Sequence, residues 1–217
     1  MALTVKTFIN NPVSSNCHII YDDSERHGIV IDPGSEDSSE IMSFLKDNAI
    51  VVDYVILTHE HFDHTWSADR FSAPVLCTKE CAETIGDKKR NLSFFFNQIG
   101  FHIEVNTMRV EDFDMKMNLL GHIVHFYKNR AHSPGGLLFT IDSYLITGDM
   151  LIKNLKTVTK LQWANKEELP DCERWLREQQ GKGYIVLAGH GDNFELDNYD
   201  IKNILRYGLY ISNRGDL

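Results

Sequence analysis

Long apolar runs are missing from this chain. No stretch approaches the roughly 18–20 apolar residues that span a bilayer, so no membrane-crossing helix is expected. The opening residues, Met1-Ala2-Leu3-Thr4-Val5-Lys6, lack a basic region followed by an apolar one, and no secretory signal is in view. Cysteine is scarce. Cys17, Cys77, Cys81 and Cys172 are the four, and their spacing fits neither a zinc ribbon nor a CxxC redox pair. They read as reduced thiols that fill a core, and these absences together make the expected location cytoplasmic. Basic charge is in deficit as well, with 22 Lys and Arg against 31 Asp and Glu and a net charge of −9. That balance argues against a nucleic acid or an anionic membrane as partner and leaves a small-molecule substrate. Low-complexity tracts and repeats of solenoid length are absent, and composition carries no signal for the oligomeric state.

What is present is an ordinary globular composition, 42% hydrophobic and 24% charged, in 217 residues. That length fits one domain over 1–217 with a helical insertion around 78–100. Strands are expected at 3–9, 17–21, 28–31, 51–57, 122–127, 137–141, 144–146 and 184–187. Helices fit 38–48, 166–179 and 197–207. Inside the insertion, Lys88-Lys89-Arg90-Asn91-Leu92-Ser93-Phe94-Phe95-Phe96 looks helical. Three consecutive Phe cannot share one helix stripe, so the piece is expected to be covered on more than one side. A lid over a substrate, or a dimer contact, is the alternative.

The densest chemistry lies in Leu57-Thr58-His59-Glu60-His61-Phe62-Asp63-His64, behind the apolar run Tyr54-Val55-Ile56-Leu57. In extended chain, residues i and i+2 point to the same side, so His59 and His61 can reach one metal together. A turn into helix at Asp63-His64 would aim those two at a neighbouring spot, and one short segment could feed two ions. Imidazole nitrogen and carboxylate oxygen suit a borderline-soft divalent metal such as zinc. The zincin motif is different: it needs His at i and i+4 on a helix, and position 63 is Asp.

Three more candidates share a local setting. His132 lies in Ala131-His132-Ser133-Pro134-Gly135-Gly136, Asp149 in Ile146-Thr147-Gly148-Asp149, and His190 in Ala188-Gly189-His190-Gly191. Each stands beside glycine just past an apolar run, where the backbone can turn sharply and approach an ion.

Taken together, His59-x-His61-x-Asp63-His64, His132, Asp149 and His190 resemble the metallo-β-lactamase superfamily over essentially the whole chain. Asp32, in Ile-Asp-Pro-Gly, matches the acidic residue that precedes the His cluster there. The resemblance implies an α/β fold, a four-layer αβ/βα sandwich with the metals at one edge. It implies that His59, His61 and His132 hold one ion, that Asp63, His64 and His190 hold a second, and that Asp149 bridges them. Asp63 and Asp149 would be the catalytic carboxylates, and Asp32 would orient ligands without binding metal. The cofactors implied are two divalent ions, zinc first, with iron or manganese as alternatives.

Within the superfamily the chain is most similar to glyoxalase II-like hydrolases of S-acyl thiol esters. It departs from them in three places. The chain ends at residue 217, 27 residues past His190, where larger members carry a helical domain that grips glutathione. Asp192-Asn193-Phe194 replaces the usual Pro-x-Thr or Pro-x-Ser, and Ala131 stands where Gly is usual. The implied chemistry is attack on a thiol ester carbonyl by water that the ions bring toward hydroxide, with a thiolate that leaves without a strong acid. Lactonase activity and a single-iron persulfide dioxygenase are the alternatives. His18, His27, His102, His122 and His125 have no partners at ligand spacing and read as structural or surface residues. Phe62 and Trp66 read as packing residues. Lys153, Lys156 and Lys160 form a solvated basic segment or meet a substrate carboxylate.

Overall fold

Strands whose adjacent residues are both apolar must be covered on both faces, because successive side chains point to opposite sides of a sheet. The pairs Ile19-Ile20, Ile29-Val30 and Leu138-Phe139 are of this kind. The computed structural model describes residues 2–98, 100–103, 107–110 and 115–201, and arranges them as two six-stranded mixed sheets. One holds β1 (Leu3–Ile9), β2 (Asn16–Asp22), β3 (His27–Ile31), β4 (Val51–Ile56), β5 (Val75–Thr78) and β6 (Thr107–Val110), neighbours in chain order. Pairing is antiparallel from β1 to β3 and parallel from β3 to β6. The other holds β7 (Lys116–Leu119), β8 (His122–Lys128), β9 (Leu137–Ile141), β10 (Tyr144–Gly148), β11 (Ile185–Ala188) and β12 (Phe194–Glu195). Only β10 and β11 pair in parallel there.

The apolar pairs split between layers as that logic requires. Ile20, Ile29, Ile31 and Ile56 meet Phe126, Phe139, Ile146 and Leu187 between the sheets. Their neighbours Ile19, Val30 and Val55 face outward and pack on Ile41 and Leu45 of α1 (Ser39–Asp47). On the far side Leu138, Leu145 and Val186 pack on Cys172 and Leu176 of α4 (Leu169–Gln179). The order helix, sheet, sheet, helix is the expected four-layer αβ/βα sandwich. All four cysteines are buried thiols. No helix among the described residues is long and apolar enough to cross a membrane.

Several expected elements differ. Helix α3 (Lys79–Thr84) opens the 78–100 region, capped by the Thr78 hydroxyl accepting from Cys81 N, but 88–96 is a chain of turns rather than a helix. Asn91 is the reason. Its side chain donates to Ile85 O at 2.7 Å and accepts from Ser93 N at 2.9 Å, and Leu92 takes a left-handed φ of 66°. A buried Asn that bonds nearby backbone competes directly with the helix ladder. Nor are the three Phe covered: Phe94, Phe95 and Phe96 are 59%, 63% and 41% exposed. The 166–179 helix starts late, as a 3-10 turn at Lys166–Glu168 followed by α4, which carries Pro170 in its first turn. At 197 there is a 3-10 turn, Leu196–Asn198, ended by extended Tyr199. The rest of the expected 197–207 helix, from 202 onward, lies outside the described residues.

The turn after β3 positions the edge where the candidate residues gather. A methyl group built on Gly34 would overlap the backbone carbonyl of Asp63 and stand 2.8 Å from His64 N. Two backbone segments touch there, and neither is a flexible side chain that can step aside. We expect Gly34→Ala to destabilise the fold by about 3 kcal/mol or more, the upper range for overpacking. At about 2–4 °C per kcal/mol for a chain of this size, thermal unfolding should show a drop of at least about 6 °C. Gly86→Ala, with nothing within 4 Å of the added methyl, should stay within about 0.5 kcal/mol.

Candidate metal centre

Every candidate residue follows the carboxyl end of a strand. Asp32 leaves β3, the 59–64 run leaves β4, His132 follows β8, Asp149 leaves β10 and His190 follows β11. The strand β4 ends at Ile56, and 58–60 is a bend, so His59 and His61 meet through a sharp turn rather than through strand alternation. Their rings are 4.4 Å apart. His61 is extended at the N-cap of α2 (Phe62–Thr65), and the first turn of that helix delivers Asp63 and His64.

The structure brings all seven candidate ligands to one edge. His59, His61, His132 and Asp149 each offer a donor atom within 4.8 Å of the others, and Asp63, His64 and His190 form a second such group. Asp149 stands between them: its Oδ2 lies 3.6 Å from His132 Nε2 and 3.5 Å from His190 Nε2, and its Oδ1 is 3.5 Å from His64 Nε2. Asp32, His59 and His64 also lie close enough to form a group. The Asp32 carboxylate is already engaged, accepting from Thr58 N at 2.7 Å and Thr58 Oγ1 at 2.6 Å and pairing with His64 Nδ1 at 3.0 Å. It fixes the His64 ring so that Nε2 faces Asp63 and Asp149, each at 3.5 Å. His132 Nδ1 is held by Val158 O at 2.8 Å and His190 Nδ1 by Ser14 O at 3.1 Å, which turns the other ring nitrogen of each inward.

Protonation divides the cluster. Burial, reinforced by the neighbouring His64, His61 and His132, pushes His59 well below the ordinary imidazole value. Burial and His132 bring His61 down to about 3, and burial lowers His132 as well. All three are biased toward the neutral ring, the form whose lone pair can bind a metal, and His61 Nδ1 and His132 Nε2 lie 3.3 Å apart. For Asp63 and Asp149 burial acts upward, but the surrounding histidines prevail and hold both below the usual carboxylate range. Burial opposes charge on His64 too, yet Asp63, Asp149 and Asp32 carry it up to about 10. The carboxylates draw positive charge to this spot.

A metal fits these residues on one further observation. His59 Nε2, His64 Nε2 and Asp149 Oδ1 are buried atoms without a hydrogen-bond partner. Buried polar atoms are rarely left so, and three that converge, from imidazoles and a carboxylate, match the donor chemistry of a divalent transition metal.

Other residues of the edge escape sequence reasoning. Asn10 Nδ2 donates to Ser15 Oγ at 2.9 Å and to Asp32 O at 3.0 Å, and the Ser15 hydroxyl caps the carbonyl of Asp63. Asn16 Nδ2 donates to Ala188 O at 2.9 Å and Gly191 O at 2.8 Å, clasping the His190 turn. Glu60, fully buried, accepts from Gly135 N at 3.0 Å and Ser133 Oγ at 3.2 Å, which ties the His132 turn to the 59–64 run. Burial raises its carboxyl to about 7. A glutamate between two candidate ligands was the only local hint. Of the remaining histidines, His18 is buried and bridges Thr7 Oγ1 and Ala188 O, each at 3.0 Å, while His27 pairs with Asp53 at the surface. Phe62 and Trp66 are buried against each other and Phe101. Lys153 pairs with Asp192 at 3.3 Å.

Two sheets sandwiched between helices, with a His/Asp cluster able to bind metals at their strand ends, define a class of metalloprotein. The model of the metallo-beta-lactamase superfamily matches residues 10–190, and the chain belongs to that family. A hydroxyacylglutathione hydrolase of Psychromonas ingrahamii is 28% identical over 149 residues, 69% of this chain but 50% of the relative, so this chain spans about half of that protein's length. A probable metallo-hydrolase of Streptococcus pyogenes is 29% identical over 196 residues, covering 84% of this chain and 82% of the relative. Among solved structures, the BLEG-1 B3 metallo-beta-lactamase superposes with a TM-score of 0.80 over 89% of this chain and 94% of its own. At 21% identity that likeness establishes the fold.

Gly189 gives a direct test of the cluster's packing. A methyl there would collide with Asp149 Oδ1 and stand 2.9 Å from His64 Cε1. We expect Gly189→Ala to keep its far-ultraviolet circular dichroism while zinc affinity, read by chelator competition, falls at least about tenfold, as for lost ligand orientation.

Proposed function

We propose that this chain is a hydrolase of S-acyl thiol esters that works with two divalent ions, zinc being the best match to the donor set. The observation that carries this reading is the position of Asp149 between two groups of donors, within 3.6 Å of His132 Nε2 and 3.5 Å of both His64 and His190 Nε2. In this reading His59, His61 and His132 would hold one ion, Asp63, His64 and His190 would hold the other, and Asp149 would be shared. Bound there, the ions supply an activated water and an electrophilic partner for the carbonyl oxygen. The chain's own part is to present them correctly. Burial favours the neutral form of His59, His61 and His132, which is the form that coordinates a cation. Asp32, braced by Thr58, locks the tautomer and tilt of His64. Asp63 and Asp149 stay ionised, which concentrates negative charge where the cations sit. A thiol has an unperturbed pKa of about 8.5, so a thiolate departs without a strong acid from the chain. The hydroxyacylglutathione hydrolase relative supports this choice of bond, and the small-molecule partner follows from it.

Elemental analysis of the purified protein should return about two transition-metal ions per chain, as a shared-carboxylate pair requires. Asp149→Ala should lose both ions and turnover, while Asp32→Ala should weaken zinc affinity by about 10–100-fold. Equal losses in the two variants would mean that the roles are misassigned. One iron per chain, with oxygen uptake on glutathione persulfide, would move the protein to redox chemistry.

The bond cleaved is tested by a panel at fixed metal content: lactoylglutathione, a simple acyl thiol ester, a homoserine lactone, nitrocefin and an aryl phosphodiester. Thiol esters should be fastest, with little dependence on the glutathionyl half. A lactone or phosphodiester turned over faster than every thiol ester would overturn the assignment while leaving the metal centre intact.

A further inference from the structure

Beside His61 and His132 the surface opens into a cavity of about 320 Å³. Leu92, Phe95, Phe96, Leu161 and Trp163 give it a largely apolar wall beside the charged edge, and Arg90, Lys160 and Gln162 also belong to its lining. That volume lies at the lower end of the roughly 300–1,000 Å³ of ligand pockets. Phe95, Phe96 and Trp163 are 63%, 41% and 40% exposed, large rings that a soluble protein keeps dry where it can. Phe96 and Trp163 have neighbours that hold them. Phe96 lies 5.3 Å from Phe62, Asn91 O accepts from Phe62 N at 2.8 Å, and Arg90 stacks over Trp163 at 5.4 Å. Of the polar groups in the lining, Ser133 Oγ donates to the buried Glu60 and Arg90 lies over the Trp163 ring.

We infer that this cavity seats the acyl half of the substrate, and that the acyl group is an apolar chain longer than acetyl. The inference rests on the thiol ester reading above and names the substrate class of the same site. Continuity with His61 and His132 places a chain in the cavity with its carbonyl at the metal cluster. Arg90, Lys160 and Gln162 in the same lining can meet the polar groups of a carrier, which leaves the wall of Leu92, Phe95, Phe96, Leu161 and Trp163 for the acyl half. An apolar chain loses nothing there and removes the exposed rings from water.

The test uses the metal-loaded protein and acetyl, butanoyl, hexanoyl and octanoyl esters of one small thiol. In parallel, calorimetric titration measures binding of the thioether analogues, in which a methylene replaces the carbonyl. We expect kcat/KM and analogue affinity to rise about fourfold per methylene up to hexanoyl, the value for burying one CH₂. Phe95→Ala and Trp163→Ala should flatten that dependence, whereas Ile123→Ser, on an exposed face of β8, should leave it unchanged. Thiol esters hydrolysed with no preference for longer chains would overturn the cavity assignment and leave the thiol ester reading standing. Analogue affinity that climbs with chain length, with no thiol ester hydrolysed, would keep the cavity assignment and overturn the bond. Loss of both refutes both.

Discussion

Three carboxylates and five imidazoles are crowded at one edge of this sandwich, largely out of water and short of partners. Burying an unpaired charge costs several kcal/mol even after the protein relaxes, so a fold does not hold such a group without a counter-ion. Hydrogen bonds discharge part of the debt: Asp32 takes two from Thr58 and pairs with His64. What they leave over is concentrated on His59 Nε2, His64 Nε2 and Asp149 Oδ1. Ion pairing within the cluster satisfies His64 only by protonating it, while His59 and His61 are driven the other way. Divalent cations bound here would meet both halves at once, taking lone pairs from the rings and balancing the carboxylates.

The architecture follows from having to assemble that cluster from distant parts of the chain. Strand ends of both sheets converge there, and their loops must approach more closely than side chains ordinarily permit. Gly34 lies against the Asp63 backbone and Gly189 against the Asp149 carboxylate, so each marks a place where even a methyl group is too much. Polar side chains then hold the loops in register. Ser15 and Asn10 grip backbone from the β3 and α2 ends, and Asn16 grips the β11 end, so the connection between β1 and β2 works as a clasp across both sheets.

The candidate ligand run was legible because its chemistry is contiguous: three imidazoles and Asp63 within 59–64 stand directly behind an apolar strand. His132, Asp149 and His190 were legible only as a set, each beside glycine at a strand end. The clasp was not. Asn10, Ser15 and Asn16 act on carbonyl oxygens that lie between 22 and 175 residues away in sequence, and a lone Asn or Ser near a strand end looks like any turn. Glu60 was hidden by its company, since its partners Ser133 and Gly135 belong to the His132 turn. The layers could be read from doubled apolar residues such as Ile19-Ile20, whereas short strands like β7, with exposed Lys116 and Asn118, give no such signal.

The misread segment at 88–96 carries its own argument about the site. In a helix, three consecutive Phe would spread around the axis at roughly 100° intervals, and at most two could look into one cavity while the backbone ladder took up the polar groups. The turns around Asn91 likewise bring two of them, Phe95 and Phe96, to the same apolar wall, with Phe94 edge-on to Phe95 at 5.5 Å. The irregular backbone remains anchored, because Asn91 O accepts from Phe62 N and Phe96 rests on the Phe62 ring. Phe62 opens the short helix that delivers Asp63 and His64, so the aromatic wall and the second group of metal donors share one support. The turns put apolar surface beside the charged edge, where displacing water strengthens every electrostatic interaction.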